Sequence, residues 1–304
     1  MFVITYRKLF YSISSILVIA SFVALIVWGL KPGIDFSGGS IIEIAYNAGA
    51  RPDVSAVTTG LIAVDPTVSV RLSGDTDFVV RMKDLSQADK ATVMNVLSLN
   101  GAASTTVKAF DSIGPVLGAE ALRKAYISIL LVIIGIVLFI TFAFRKVSEP
   151  VSSWKYGLTA VIALVHDVII PAGVFSVLGH FAGYEVDTLF VTALLVVLGF
   201  SVHDTIVVFD RVRENLKNSG NLKPFSEVVG ESISQTFVRS INTSMTTLLA
   251  LVILYIFGGS TTAHFSLVLI IGIAVGTYSS IFIGSPLLVT FERWQAKRKL
   301  SAGR

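Results

Sequence analysis

The chain has 304 residues, of which 53% are hydrophobic and only 14% are charged, and its mean hydropathy is +0.78. Soluble domains carry about 25% charged residues, so this composition indicates an integral membrane protein. The net charge of +4 is small and gives no sign of nucleic-acid binding. Because the chain contains no cysteine, disulfides, thiol nucleophiles and cysteine-ligated metals are excluded.

The first apolar segment runs from about Leu9 to Leu30 and follows the basic residues Arg7 and Lys8. Its length of roughly 20 residues exceeds the apolar region of a signal peptide, and no A-x-A cleavage pattern follows it. Residues 1–30 are therefore predicted to be a short cytoplasmic N-terminus and an uncleaved first transmembrane helix.

A polar insert at residues 31–122 has the size of an independent domain. Alternating apolar residues predict strands, and helical periodicity with capping residues predicts helices between them. The predicted elements are strands at Ser40–Tyr46, Thr67–Leu72, Phe78–Lys83 and Ser104–Phe110, with helices at Asp53–Ala63 and Ser86–Leu99. The order βαββαβ is typical of the ferredoxin-like arrangement. No recognisable catalytic constellation lies in this small α+β domain.

Residues 123–290 contain five more apolar segments, each long enough to cross a bilayer. Their predicted limits are Ala125–Phe144, Gly157–Leu178, Thr188–Phe209, Ile241–Phe257 and Phe265–Val289. Between the fourth and fifth segments, residues 224–239 carry one apolar face and are predicted to form a cytoplasmic interfacial helix. Residues 291–304 are a basic tail. The predicted fold is an α-helical polytopic membrane protein with six transmembrane helices and one outer α+β domain.

Basic residues predict the orientation of these helices. The N-terminus, the tail and the segments 145–155 and 211–239 are rich in Lys and Arg, whereas the short loops 179–187 and 258–264 contain none. By the positive-inside rule, both termini are cytoplasmic and the 31–122 domain lies on the outer face.

An acidic residue inside an apolar segment identifies the first candidate site. Asp204 lies near the cytoplasmic end of the fourth span, and Arg239 precedes the fifth span at the same face. A carboxylate in hydrocarbon costs at least about 2.5–3.5 kcal/mol, so it is expected to face the bundle interior and to have a partner or a task. An ion pair with Arg239 that opens on protonation would form a proton relay. The alternative is a static hydrogen bond between helices.

A second His-Asp pair, His166 and Asp167, lies nearer the middle of the third span. Asp167 is either a second relay carboxylate or a partner of His166, and the residues alone leave both open. Adjacent helical residues diverge by about 100°, so neither this pair nor His203 with Asp204 converges on one ion, and no metal site is expected. Polar residues at the start of the fifth span either stabilise a charge or bond to their own helix.

The sixth span repeats small residues at every fourth position: Gly272, Gly276, Ser280 and Gly284. This spacing places them on one stripe, where another helix can approach closely. Ordinary helix packing is the interpretation that we favour for the stripe.

Three stretches resemble one known family: GIDFSGG at 33–39, GFSVHDTIVVFDRVREN at 199–215 and QTFVRSINTSMTTLLALVILYIFGG at 235–259. They are similar to the SecF family, membrane subunits that work with SecD beside the Sec translocon and belong to the resistance-nodulation-division superfamily. The resemblance covers nearly the whole chain. It implies a step late in protein export that is driven by the proton-motive force, with protons as the coupling ion and no cofactor or enzymatic activity.

The resemblance also assigns residues. The family's membrane carboxylate corresponds to Asp204, and its span-five arginine corresponds to Arg239. Gly38 and Gly39 match the family's D-F-x-G-G motif, in which we expect a structural role for them and for Asp35. Where family members usually have an amide residue, this chain has His203, so its role here is open.

The implied partners are SecD, a SecYEG-type translocon, the exported preprotein and membrane lipid, in the cytoplasmic (inner) membrane. One alternative is a stand-alone proton-coupled exporter of small molecules or lipids, although such exporters generally carry two large outer domains within twelve spans. The other alternative is a passive structural stabiliser of the translocon that moves no ions.

Overall fold

The computed structural model describes residues 2–47, 51–74, 76–144, 153–220 and 222–302. In chain order the elements are α1 (Phe2–Thr5), α2 (Arg7–Val27), α3 (Ile34–Ser37), β1 (Gly39–Tyr46), α4 (Val54–Ile62), β2 (Ser69–Ser73), β3 (Asp77–Met82), α5 (Gln87–Leu97), β4 (Thr105–Ile113), α6 (Pro115–Ala143), α7 (Ser153–Phe181), α8 (Thr188–Ser219), α9 (Phe225–Phe257), α10 (Ser260–Ser279), a π turn (Ser280–Gly284) and α11 (Ser285–Ala302). They form two compact units, Met1–Lys31 with Ile127–Arg304, and Pro32–Tyr126.

Six helical stretches within the described residues are long and apolar enough to cross a membrane, which confirms the predicted number of spans. They are α2, α6, α7, α8, α9 and the stretch Thr262–Ala296, in which the π turn joins α10 to α11. The apolar windows of α7, α8 and this last stretch are 50–61% buried, whereas those of α2, α6 and α9 are 6–17% buried. Helices α7 and α8 and the stretch Thr262–Ala296 therefore form the centre of the bundle.

The separate interfacial helix predicted at 224–239 is instead the first part of α9, which continues without a break to Phe257. Pro224 precedes the helix with φ −58°, the angle that proline fixes and that suits a helix start. The predicted apolar face is present, but Val228, Val229 and Ile233 are buried inside the bundle. The segment is thus packed against protein, because its apolar side chains find partners on the other helices.

Small residues allow close helix crossings, as expected for the stripe of the last span. A Cβ atom added to Gly272 would lie 2.2 Å from Val197 Cγ2 on α8, and one added to Gly276 would lie 3.1 Å from Ser201 Cβ on the same helix. These two glycines therefore fix how closely α10 approaches α8.

The outer unit has one four-stranded antiparallel sheet with the strand order β2-β3-β1-β4. The predicted element order βαββαβ is observed, and the ferredoxin-like comparison itself stays a prediction. One face of β1 and β3 packs against α4 and α5, and the apolar side chains between them are buried. The strands contribute Ile42, Ile44, Phe78 and Val80, and the helices contribute Val57, Leu61, Val93 and Leu97. Asp53 and Ser86 cap α4 and α5 by accepting backbone N–H bonds, as their positions predicted.

The buried Asp65, in the loop between α4 and β2, stabilises the outer unit. Its carboxylate accepts hydrogen bonds from the Thr67 amide at 2.8 Å, the Thr67 hydroxyl at 2.7 Å and the Lys83 amide at 2.6 Å. Burial alone would raise the pKa of Asp65, but these hydrogen bonds outweigh it and the pKa is lowered. Similarly, the ammonium of Lys108 beside Asp77 lowers the pKa of that carboxyl.

The second span starts earlier than predicted. Helix α6 begins at Pro115, before the expected domain boundary at residue 122, and the division between the two units falls inside it at Tyr126. Proline is favoured at the first position of a helix, and no second proline follows it up to Ala143. Two charged residues on either side of residue 122, Lys124 and Glu120, form an exposed pair one turn apart at 2.8 Å.

Candidate functional site

Asp167 on α7 is fully buried in the membrane unit, with none of its surface exposed. Its Oδ2 accepts hydrogen bonds from the hydroxyls of Ser201 on α8 at 2.5 Å and Ser279 on α10 at 2.7 Å. Its Oδ1 lies 2.8 Å from the Nδ1 of His166. One carboxylate therefore connects the three central helices of the bundle.

His166 is 5% exposed, and its Nε2 has no hydrogen-bond partner among the described residues. The ring of Tyr278 lies over the imidazole at 6.3 Å between centroids. The imidazole is therefore held through Nδ1 and its ring face, while the described residues offer Nε2 no hydrogen bond. Of the two interpretations that the sequence left open, the contact between Asp167 and His166 is present.

The π turn begins directly after Ser279, a donor to Asp167. The Ser285 amide and its hydroxyl, at 2.9 Å, both donate to the carbonyl of Ser280, which stabilises the wide turn. π turns occur mostly as single turns inside α-helices and are frequent at functional sites. The irregular backbone thus coincides with the buried polar cluster.

Asp204 lies on α8 one helical turn after Ser201 and on the same side of that helix. It is 3% exposed, and its Oδ2 has no hydrogen-bond partner among the described residues. The same is true of the buried hydroxyl of Ser240 on α9, whose side chain neighbours Asp204. Asp204 therefore faces the bundle interior, as the sequence predicted for an acid at this position.

Arg239 is the helical neighbour of Ser240, but its side chain is exposed on the surface of α9. It acts on Asp204 electrostatically, yet the described residues contain no ion pair between the two within 4 Å. The expected ion pair is therefore not formed in this conformation. His203 is also exposed and contributes its charge, when protonated, to the surroundings of Asp204.

The polar residues at the start of the fifth span mostly bond to their own helix. Thr243, Thr246 and Ser244 each donate to the carbonyl four residues earlier, at 2.8–2.9 Å. Ser244 differs from the others because its hydroxyl is also 2.5 Å from that of Thr277 on α10. Self-bonding is thus the main role of the group, with one additional link between α9 and α10.

The residues of the D-F-x-G-G motif lie where the chain enters the outer unit. Asp35 is partly buried in the short helix α3. Gly38 and Gly39 have φ of +72° and +129°, and a Cβ atom at either would lie within 2.8 Å of backbone atoms of Pro115 or Met82. Both positions require glycine, for backbone conformation and for space.

Sequence reasoning missed the partners of Asp167. Ser201 and Ser279 are ordinary serines in apolar helices, and only the helix crossings bring them to one carboxylate. The small-residue stripe was the available signal. Because Gly276 has no side chain, Ser201 and Asp167 can both pack against it, and an added Cβ atom would lie only 3.6 Å from Asp167 Oδ2. Within the described residues, no three His, Asp or Glu side chains converge as a metal site would require.

Two family models match the chain. The model described as Protein export membrane protein SecD/SecF, C-terminal, matches residues 93–294, and the SecD/SecF GG Motif model matches residues 23–50, which include Gly38 and Gly39. The chain belongs to the SecD/SecF family. The first model spans the helices that carry Asp167, Asp204 and Arg239.

Relatives of known name agree with the SecD/SecF assignment. The chain is 41% identical to protein translocase subunit SecF of Thermobaculum terrenum, covering 95% of this chain and 93% of that protein. It is 37% identical to SecF of Anaerolinea thermophila, covering 94% and 92%. The crystal structure of SecDF, a translocon-associated membrane protein from Thermus thermophilus, superimposes with a TM-score of 0.81 at 30% identity. That match covers 95% of this chain but only 38% of the SecDF chain.

Proposed function

We propose that this chain is the SecF-like subunit of a protein translocase and that proton movement through its helices assists a late step of polypeptide export. Its similarity to SecF subunits over nearly its full length supports the first part. The second part depends on one observation: Asp204 is buried, and one of its carboxylate oxygens has no partner.

Burial removes hydration from the Asp204 carboxylate, which costs an ion several kcal/mol, and the nearby Ser240 hydroxyl and the charges of His203 and Arg239 offset that cost only in part. Two changes remove this cost, protonation of Asp204 or approach of a cation. Arg239 is the nearby cation on α9, and its long, exposed side chain can reach inward. Alternation between protonated Asp204 and an Asp204–Arg239 pair would couple proton uptake to a rearrangement of α8 and α9.

Asp167 is proposed as a secondary relay group. Its contacts with α8 and α10 place it one helical turn from Asp204 along α8, through Ser201. Exchange of a proton at this carboxylate would alter its hydrogen bonds to Ser201 and Ser279 and would thereby act on all three central helices.

SecD is the proposed partner. Arg239, Asn242, Thr243 and Thr246 form an exposed polar face on α9, on which the charged guanidinium of Arg239 needs a polar neighbour. The relative named SecDF, of which this chain spans 38%, carries in its name the two subunits that we propose to pair here. The Sec translocon, the exported polypeptide and membrane lipid complete the proposed set of partners.

The basic segments support cytoplasmic termini in the inner membrane and an outer domain on the opposite face. In this orientation Asp204 lies near the cytoplasmic side, and the unit Pro32–Tyr126 lies where the emerging polypeptide appears.

An export assay tests the proposal, with wild type, Asp204→Asn and Arg239→Met compared at matched membrane levels. Both variants are expected to assemble with SecD and to lose the part of export that depends on the proton-motive force. Asp210→Asn is the matched control, because Asp210 lies on the same helix but is exposed and paired with Arg213 at 2.6 Å. Normal export by Asp204→Asn would favour a passive stabiliser, and failure to co-purify with SecD would favour a stand-alone exporter.

A further inference from the structure

We propose that a cleft at the N-terminal end of the bundle binds a phosphate group, supplied either by an anionic phospholipid headgroup or by free phosphate. The cleft has a volume of about 360 Å³ and is lined by Ile4, Thr5, Arg7, Lys8, Ser226 and Arg293. These residues come from α1, α2, α9 and α11, so four separate helices form one concave site.

Three of the six lining residues are cations, and the lining contains no acid. Over the described part of the chain, Arg7, Lys8 and Arg293 form no ion pair; the one hydrogen bond of the Arg7 side chain goes to the carbonyl of Ile4 at 3.1 Å. By contrast, Arg211 and Arg213 at the end of α8 are each paired with a carboxylate at 2.6 Å. Like charges in one cleft repel each other, and a bound anion relieves this repulsion.

The remaining lining residues suit a phosphate bound to an apolar body. Ser226 lies in the first turn of α9 and adds a hydroxyl donor to the cleft. Ile4 is buried and gives the cleft an apolar floor. A phospholipid headgroup presents this combination, with charged oxygens next to a glycerol and acyl chains.

The cleft also lies where headgroups are found. Arg7 is the first residue of span α2, and Arg293 lies near the end of the last span, so both are at the level where the helices leave the hydrocarbon. Basic pockets between transmembrane helices are known to bind anionic headgroups, and each Lys or Arg near the surface contributes about 1 kcal/mol.

The test compares the full chain with two triple variants in nanodiscs that contain equal amounts of phosphatidylcholine and phosphatidylglycerol. Arg7→Gln/Lys8→Gln/Arg293→Gln removes the cleft cations, and Arg213→Gln/Lys217→Gln/Lys223→Gln removes the same charge elsewhere. Native mass spectrometry measures the lipid retained by each protein. Each cleft cation is expected to contribute about fivefold to the preference for phosphatidylglycerol, so that the cleft triple loses about a hundredfold. The control triple should keep most of that preference.

A second arm titrates inorganic phosphate into the same proteins in phosphatidylcholine nanodiscs. Binding that is lost only in the cleft triple would identify free phosphate as the source, whereas retention of phosphatidylglycerol without phosphate binding would identify lipid. Equal behaviour of the two triples in both arms would overturn the proposal. If the cleft triple unfolds at a lower temperature than wild type, the single substitution of the exposed Arg293, Arg293→Gln, replaces it. This variant should lose about fivefold of the preference for phosphatidylglycerol, and Lys217→Gln is its control.

Discussion

The crossing of α8 and α10 gives a quantitative prediction, because it depends on one glycine and one valine. In Gly272→Ala, the new methyl group would lie 2.2 Å from Val197 Cγ2 and 2.8 Å from Cγ1. Carbon atoms normally pack at about 3.5–4.0 Å, so the helices would have to separate by about 1.3 Å or Val197 would have to change rotamer. A helical valine strongly prefers one rotamer, and we therefore expect a loss of about 1–3 kcal/mol of stability.

The partner substitution makes this prediction sharper. Val197→Ala removes two fully buried methyl groups and should cost about 1–2 kcal/mol from lost packing contacts and the cavity left behind. In the double variant, the methyl group of residue 272 occupies that cavity, at 3.0 Å from the remaining Cβ. The double variant should therefore be more stable than the sum of the two single effects by about 1–2 kcal/mol.

Unfolding of the purified full chain in mixed micelles measures all three variants. Gly199→Ala on α8 is the control, because a Cβ atom there meets no atom within 4 Å and the substitution should gain up to about 1 kcal/mol of helix propensity. Additive effects of Gly272→Ala and Val197→Ala, or a Gly272→Ala variant as stable as the control, would refute the close crossing.

Two further predictions concern single hydrogen-bonded carboxylates. Folding lowers the pKa of Asp65, so its hydrogen bonds from Thr67 and Lys83 stabilise the outer unit at every pH above the unfolded-state pKa of about 3.9. This stability is lost as the pH falls from that value through the lower pKa of the folded state. Asp65→Asn should therefore lower the stability of the outer unit by about 1–3 kcal/mol at pH 7 and by much less at about pH 2. Hydrogen exchange of the β3 amides in the full chain measures this stability, and a loss that does not change with pH would contradict the prediction. Ser279→Ala removes one of the donors to the fully buried Asp167 and should cost about 1–3 kcal/mol in the micelle assay. A variant as stable as the wild type would contradict the contact.

The sequence predicted the large-scale architecture because the bilayer imposes simple rules. Apolar length defined six spans, and alternation with capping residues such as Asp53 and Ser86 defined the outer unit. The ends were less accurate. Helices α8 and α9 extend well beyond their apolar parts, because i,i+3 ion pairs such as Arg213 with Asp210 and buried residues such as Ile233 continue the helix outside the hydrocarbon.

The candidate site was predicted only in part. Burial of Asp204 followed from the cost of a charge in hydrocarbon, but its separation from Arg239 did not, since a position at the same end of neighbouring spans fits a paired and a separated arrangement equally. The donors to Asp167 depend on helix crossings that no single segment encodes. Ser279 in addition lies at the start of a π turn, which apolar periodicity does not reveal.

The π turn at Ser280–Gly284 changes how the last span should be analysed. Its hydrogen bonds join residues five apart instead of four, so the turn contains one residue more than an α-helical turn. Each residue of an α-helix takes up about 100° of the helix circumference. A single helical wheel drawn from Thr262 to Ala296 therefore misassigns the face of every residue after Gly284 by about that angle. An alanine or cysteine scan along this span should show a periodic pattern that changes phase at Gly284, with Leu288 and Val289 on the protected side.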